Sequence, residues 1–193
     1  MKLKLSEISI IKLGYSLRER PEFLSGPDGT HIILPKDITE NNGIEFKSTI
    51  SVKIPNPEKF LLQNGEVLLQ SRGKFIAVVY NPPTDTEFVA SSLLLRIIPT
   101  TSKVLPKYIS LYLNSFVGQS ELKRLSGGTA TQIITKSELE KLEIPIVSLE
   151  TQKKLIAIST EFDNWQNLHS RQLDLQKNIF DSIVNKITGE NNG

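Results

Sequence analysis

The 193-residue chain has no cysteine, two histidines, one tryptophan and one methionine. The missing cysteines exclude a disulfide framework, thiolate zinc sites and a cysteine nucleophile, and they suit a reducing, cytoplasmic setting. His31 and His169 are far apart and lack H-x-x-x-H spacing, so a metal centre is not expected. No apolar run approaches the roughly 20 residues of a membrane span, and Met1-Lys2-Leu3-Lys4-Leu5-Ser6-Glu7 lacks the apolar core of a signal peptide. Gly127-Gly128 and the pair Gly26, Gly29 fit neither a P-loop nor a dinucleotide-binding fingerprint. Ser71 and Ser126 lack a nucleophile elbow, and no carboxylate cluster is followed by a nuclease-type lysine. Together these absences predict a chain with no enzymatic chemistry of its own.

What is present is ordinary for a globular protein: 38% hydrophobic and 23% charged residues, with a net charge of +2. The length suits one well-buried domain with an appendage. Residues 1–148 hold 18 Lys/Arg against 15 Asp/Glu, whereas residues 149–188 hold five of each. The small basic excess therefore sits on the globular part, which permits an acidic partner without demanding one.

The first hundred residues read as mostly β. Leu5 to Gly14 predicts a strand ending at a glycine, and His31-Ile32-Ile33-Leu34-Pro35 a short strand at a sheet edge. Asn64-Gly65 predicts a turn into a buried strand. Ser71-Arg72-Gly73-Lys74 then makes the polar tip of a hairpin that returns through Phe75 to Tyr80. Phe88 to Ile98 predicts one long strand region.

The period then changes. Pro106 suits the first position of a helix whose spacing continues through Ile109, Tyr112, Leu113, Phe116 and Val117. A second helix is expected over 119–125, stopping at Gly127-Gly128. Thr135 with Glu138 forms a capping-box pattern, and Ile144-Pro145-Ile146 a strand. Ser148 then caps a helix over 149–187, about 58 Å long at 1.5 Å per residue.

Leu155, Ile158, Phe162, Trp165, Leu168, Leu175, Ile179, Ile183 and Ile187 form a coiled-coil-like stripe along that helix, interrupted at Gln172. Such a stripe is buried against another helix or folded back on its own domain. Phe162 and Trp165 read as packing knobs rather than base-stacking platforms. Gln172 either sets register or is solvated. The fold class expected is α/β (α+β): a β-rich domain with small helices over 1–147, a long helix over 148–188, and a disordered tail over 189–193.

The order of these features resembles one half of the DNA-specificity subunit of type I restriction–modification systems. The matching segments are Leu5-Ser6-Glu7-Ile8 leading to Gly14, Ile33-Leu34-Pro35-Lys36-Asp37-Ile38, Asn64-Gly65-Glu66-Val67-Leu68 with Gly73, and Pro106-Lys107-Tyr108-Ile109. The last is Ile144-Pro145-Ile146 entering Gln152-Lys153-Lys154-Leu155-Ile156. The chain departs from the family at Val147-Ser148, where prolines are common, and at Thr151, where Glu is common. It also has one recognition domain and one long helix where the family has two of each, so it is either a fragment or a half-subunit that pairs with itself.

The resemblance implies that the globular part reads a half-site on double-stranded DNA. It implies that the helix sets the distance between half-sites, forms a homodimer and docks methyltransferase and restriction/motor subunits. S-adenosylmethionine and ATP would bind those partners, with no cofactor or metal on this chain. Two rivals remain: a coiled-coil interaction module without DNA specificity, and the specificity fragment of a longer fused restriction–methylation enzyme.

Phosphates call for Lys and Arg, and base edges suit Arg, Lys, Asn and Gln, presented on loops between strands. On that ground the candidate DNA-binding residues are Arg18, Arg20, Lys36, Gln70, Arg72, Lys74, Arg124, Thr129, Thr131 and Gln132. The tip at Arg72 and Lys74 and the loop Gly127-Gly128-Thr129-Ala130-Thr131-Gln132 are favoured, because their backbone permits close approach.

Overall fold

Leu5 and Ile8, three residues apart, are both fully buried, which a strand cannot achieve on one face but a helical turn can. In the computed structural model, described over residues 1–17, 29–39, 43–82, 86–127 and 132–189, the segment expected to be one strand is therefore divided. Strand β1 (Lys2–Lys4) is followed by a helical turn, α1 (Leu5–Ile8), and only then by β2 (Ser9–Leu13). The Glu7 carboxylate accepts the Lys4 N–H at 2.6 Å and the Ser9 hydroxyl donates to the Leu5 carbonyl at 2.6 Å, closing both ends of the turn.

The remaining strands are β3 (Thr30–Ile33), β4 (Ile50–Val52), β5 (Val67–Gln70), β6 (Ala77–Val79), β7 (Phe88–Ala90), β8 (Leu94–Pro99) and β9 (Glu143–Pro145). They form three small sheets with orders β2-β8-β5-β6, β4-β3-β7 and β1-β9. The expected single strand over Phe88–Ile98 is thus two strands in two sheets. Leu94 N–H donates to the Ser91 carbonyl across the turn between them, and Ser91 N–H donates to Ile33. Gly14 lies against this switch point, where an added Cβ would meet the Ser91 and Ala90 carbonyl oxygens at 2.0 and 2.5 Å. Only a residue without a side chain fits there.

Strand β3 is the middle of its sheet, not an edge: His31 is opposite Ser51 on β4 and Phe88 on β7. Its neighbours point to opposite faces, as strand geometry requires. Ile33 joins a core of Leu62, Leu68, Val78, Tyr80 and Phe88, while Ile32 joins Val52, Ile54 and Val89. Both faces of this sheet are therefore packed. Phe46, Tyr80 and Phe88 stack edge-on within the first core, at centroid distances of 5.1–6.2 Å.

An ion pair is buried beside these cores. Arg96 on β8 donates through Nε and Nη2 to Glu66 at 2.8 and 2.7 Å, and through Nη1 and Nη2 to the Phe60 and Leu61 carbonyls, both at 2.8 Å. Tyr80 lies close by. Burial, and secondarily the Glu66 charge, push its phenol up to about 12.

Helix α2 (Pro106–Asn114) opens at Pro106 as expected. Phe116 and Val117, assigned above to the same helical stripe, belong instead to α3 (Phe116–Leu125) and are exposed. Ser115 makes the break by capping α3, its hydroxyl accepting the Gly118 N–H at 3.1 Å. Helix α4 (Lys136–Leu139) carries the expected capping box: Thr135 N–H donates to Glu138 at 2.7 Å, and Glu138 N–H donates to the Thr135 hydroxyl at 3.3 Å.

Helix α5 (Leu149–Thr188) runs 40 residues, about 60 Å at 1.5 Å per residue. Ser148 Oγ accepts the Thr151 N–H at 3.2 Å, so the expected cap is present. The chain divides into two compact units, Met1–Lys153 and Lys154–Gly193. The first unit includes the opening turn of α5, where Gln152 is fully buried. Its Oε1 accepts the Leu105 N–H, and its Nε2 donates to the Lys103 and Val147 carbonyls, each at 2.9 Å.

In the second unit, the stripe residues Leu155, Ile158, Phe162, Trp165, Leu168, Leu175, Ile179 and Ile183 are all exposed on the single chain. The Trp165 ring stacks on His169 at 5.3 Å and on Phe162 at 6.1 Å. The tail expected over 189–193 falls, apart from Gly189, outside the described residues.

Candidate nucleic-acid interface

The hairpin of β5 and β6 pairs Val67 with Val79, Leu68 with Val78 and Leu69 with Ala77. Its sides are apolar and buried, so its polar residues are pushed to the tip. Arg72, Gly73 and Lys74 are all exposed there. Gly73 has φ +71°, a conformation that L side chains rarely adopt, and this permits the chain to reverse between the two basic residues.

The tip does not stand alone. Arg72 is bridged antiparallel to Ile133, Gly73 N–H donates to the Gln132 carbonyl at 3.1 Å, and Ile134 N–H donates to the Ser71 carbonyl at 2.9 Å. The two polar loops favoured from sequence, some sixty positions apart, are therefore hydrogen-bonded side by side where they are described.

Two helices brace the returning half of the hairpin. Asn114 at the end of α2 uses both ends of its amide on Ala77, accepting from its N–H at 2.9 Å and donating to its carbonyl at 2.7 Å. The Gln119 Nε2 on α3 donates to the Phe75 and Leu113 carbonyls, both at 2.7 Å. Between hairpin and helix lies an open cleft of about 510 Å³, lined by Lys74 and Phe75, Asn114 and Gln119, Lys123 and Gln132. Its described lining residues include two lysines and no carboxylate.

The other sequence-based candidates fall in different places. Gln70 is buried, and its Nε2 donates to the Pro35 carbonyl at 2.9 Å, so it holds the turn that carries Lys36 against the end of β5. Lys36 is half-exposed, with Nζ 2.7 Å from Asp37 Oδ1 and 2.9 Å from the Ser48 carbonyl. Arg124 is on α3 but lines a separate cleft of about 400 Å³ with Lys2, Tyr112, Glu121, Lys141 and Glu143. Its guanidinium is 2.6 Å from Glu121. That cleft carries mixed charge: the Tyr112 phenol is raised by burial, then by Glu121, Tyr108 and Glu143. Arg18, Arg20, Thr129 and Thr131 lie outside the described residues.

Lys123 was not among the sequence-based candidates, because it lies inside a helix rather than on a loop between strands. Its signal was present: Gln119 and Lys123 are four residues apart and share a helix face. Among the described residues no group of three or more histidine or acidic side chains is placed to hold a metal, and no helix is long and apolar enough to cross a membrane.

Residues 2–176 match the family model of the type I restriction modification DNA specificity domain. No curated protein matches in sequence. Solved structures share the fold, among them the following three. The HsdS subunit from Thermoanaerobacter tengcongensis has a TM-score of 0.66 at 18% identity, covering 89% of this chain and 39% of that one. A chain of a type I R-M system, described for its complex assembly and conformational transition, has a TM-score of 0.70 at 16% identity, covering 95% and 43%. The type I S subunit from M. genitalium has a TM-score of 0.59 at 19% identity, covering 100% and 46%. The chain thus spans less than half the length of each of these structures. With the match extending from β1 well into the long helix, the chain belongs to the type I restriction–modification DNA specificity domain family.

Proposed function

We propose that this chain is the sequence-reading, non-catalytic component of a cytoplasmic type I restriction–modification complex. The unit Met1–Lys153 reads one half of a bipartite site on double-stranded DNA. The exposed stripe of α5 pairs with a second long helix, that of a second copy, and recruits methyltransferase and, through them, restriction/motor subunits. S-adenosylmethionine and ATP belong to those partners. The observation that carries the reading is the hydrogen-bonded junction of the Arg72–Lys74 tip with Gln132, because it brings together the backbone that carries a guanidinium, an ammonium and an amide side chain. Those are the groups that read guanine and adenine edges and neutralise phosphates.

In this proposal Arg72 and Gln132 face bases, Lys74 and Lys36 approach the backbone, and Gln70 positions the turn that carries Lys36. Arg18, Arg20, Thr129 and Thr131 are secondary candidates, whereas Arg124, paired with Glu121, lines the other cleft and is left out of this surface. The test is selection of bound duplexes from a randomised DNA pool by the full chain and by Arg72→Ala. The full chain should enrich one motif. The variant should lose about 1–3 kcal/mol of binding and relax one position of the motif if Arg72 contacts guanine. A full chain that enriches no motif removes the proposal.

A further inference from the structure

The cleft between the hairpin tip and α3 separates two adjacent basic residues that look equivalent in sequence. Lys123 follows Gln119 by one helical turn and faces the cleft with Lys74 and Gln132. Arg124 is rotated about 100° further round the helix, paired with Glu121, and lines the other, mixed-charge cleft. The amides of Asn114 and Gln119 are occupied by backbone groups of Phe75, Ala77 and Leu113. They build the wall of the first cleft, and Lys123 is the basic side chain that α3 adds to it. The cleft is open and polar, and its described lining holds no acidic side chain, so it suits an anion.

Resting on the DNA-reading function proposed above, we infer that Lys123 is a DNA-backbone residue: its ammonium binds a phosphate beside the half-site, with Lys74 across the cleft. The helix contributes no base reading, since a lysine on a phosphate carries no sequence information. The face that meets DNA therefore spans the hairpin tip and the Gln119–Lys123 side of α3, and excludes the Glu121–Arg124 side. The α3 contact anchors the domain while the tip reads.

The test measures affinity for a short duplex of random sequence as a function of salt, using the full chain and Lys123→Ala, Lys123→Arg and Arg124→Ala. Both positions changed are exposed, so the core is untouched. Lys123→Ala should make the slope of log affinity against log salt shallower by about 0.9, the effect of one lost phosphate contact. Lys123→Arg should restore the slope, Arg124→Ala should leave it unchanged, and the motif selected from a randomised pool should be the same for the full chain and Lys123→Ala. An unchanged slope for Lys123→Ala, or a larger loss in Arg124→Ala, overturns the assignment while leaving the DNA-reading proposal standing. A changed motif in Lys123→Ala overturns its backbone role. A full chain that binds no DNA at all overturns both.

Discussion

Replacing Arg96 with Ala should be the most damaging single change in the globular unit. Arg96 and Glu66 side chains are only 5% and 3% exposed, so water cannot replace the missing partner. Without the guanidinium, the Glu66 carboxylate keeps one backbone donor, Gln63 N–H at 2.9 Å, and the Phe60 and Leu61 carbonyls lose their donors. Breaking a buried pair by removing one member costs about 3–5 kcal/mol. That is a large share of the roughly 5–15 kcal/mol expected for a domain. The pair lies at the base of the β5–β6 hairpin, with Glu66 directly before β5 and Arg96 opposite Leu68, so the loss reaches the candidate interface. Urea unfolding followed by far-UV circular dichroism measures the cost. The single tryptophan, Trp165, reports the other unit and is the wrong probe. The double change Arg96→Met with Glu66→Leu removes both charges and should cost well under the sum of the two single changes. A cost below about 1 kcal/mol for Arg96→Ala, or additive single and double changes, refutes the reasoning.

Three further outcomes are expected. Gln152→Ala strands the Leu105 N–H and the Lys103 and Val147 carbonyls; those residues are partly solvated, so the loss should be about 1–3 kcal/mol of unfolding free energy, read as a lower urea midpoint, and an unchanged midpoint would show the buried amide to be idle. The Glu138 carboxyl is held below the usual range by the Thr135 backbone N–H first and its hydroxyl second. A depressed folded value contributes stability above the unfolded value and loses it as pH falls through the folded one, so the contribution fades in the acid range. Thr135→Ala keeps the backbone bond, so an NMR titration should find the Glu138 pKa partly raised, and an unmoved value contradicts the assignment. Phe162→Asp places a charge in the middle of the exposed stripe of α5; sedimentation should find the full chain dimeric and this variant monomeric, and a monomeric full chain rejects self-pairing.

The sequence was readable where structure is local. Pro106 opens a helix, Thr135 with Glu138 makes a capping box, Ser148 caps the long helix, and Asn64-Gly65 turns into the hairpin, each through atoms a few residues apart. It misled where partners are distant. The apolar run from Phe88 reads as one strand, but β7 pairs with β3 and β8 with β2 and β5, so the run divides between two sheets. Leu5–Ile8 has strand-like composition, yet Leu5 N–H is taken by Leu142, and this long-range bond accompanies a helical turn. The candidate interface shows the same division. The Arg72 tip and the Gln132 segment were each visible as polar loops, whereas their adjacency and the separation of Lys123 from Arg124 depend on how α3 packs against the hairpin.

In the function proposed above, this chain chooses where a partner methyltransferase acts. Methylation sequencing of the host genome, with and without this gene, tests it most directly. Removing the gene should abolish methylation at one bipartite, symmetric motif and leave all others intact. An unchanged methylome contradicts it.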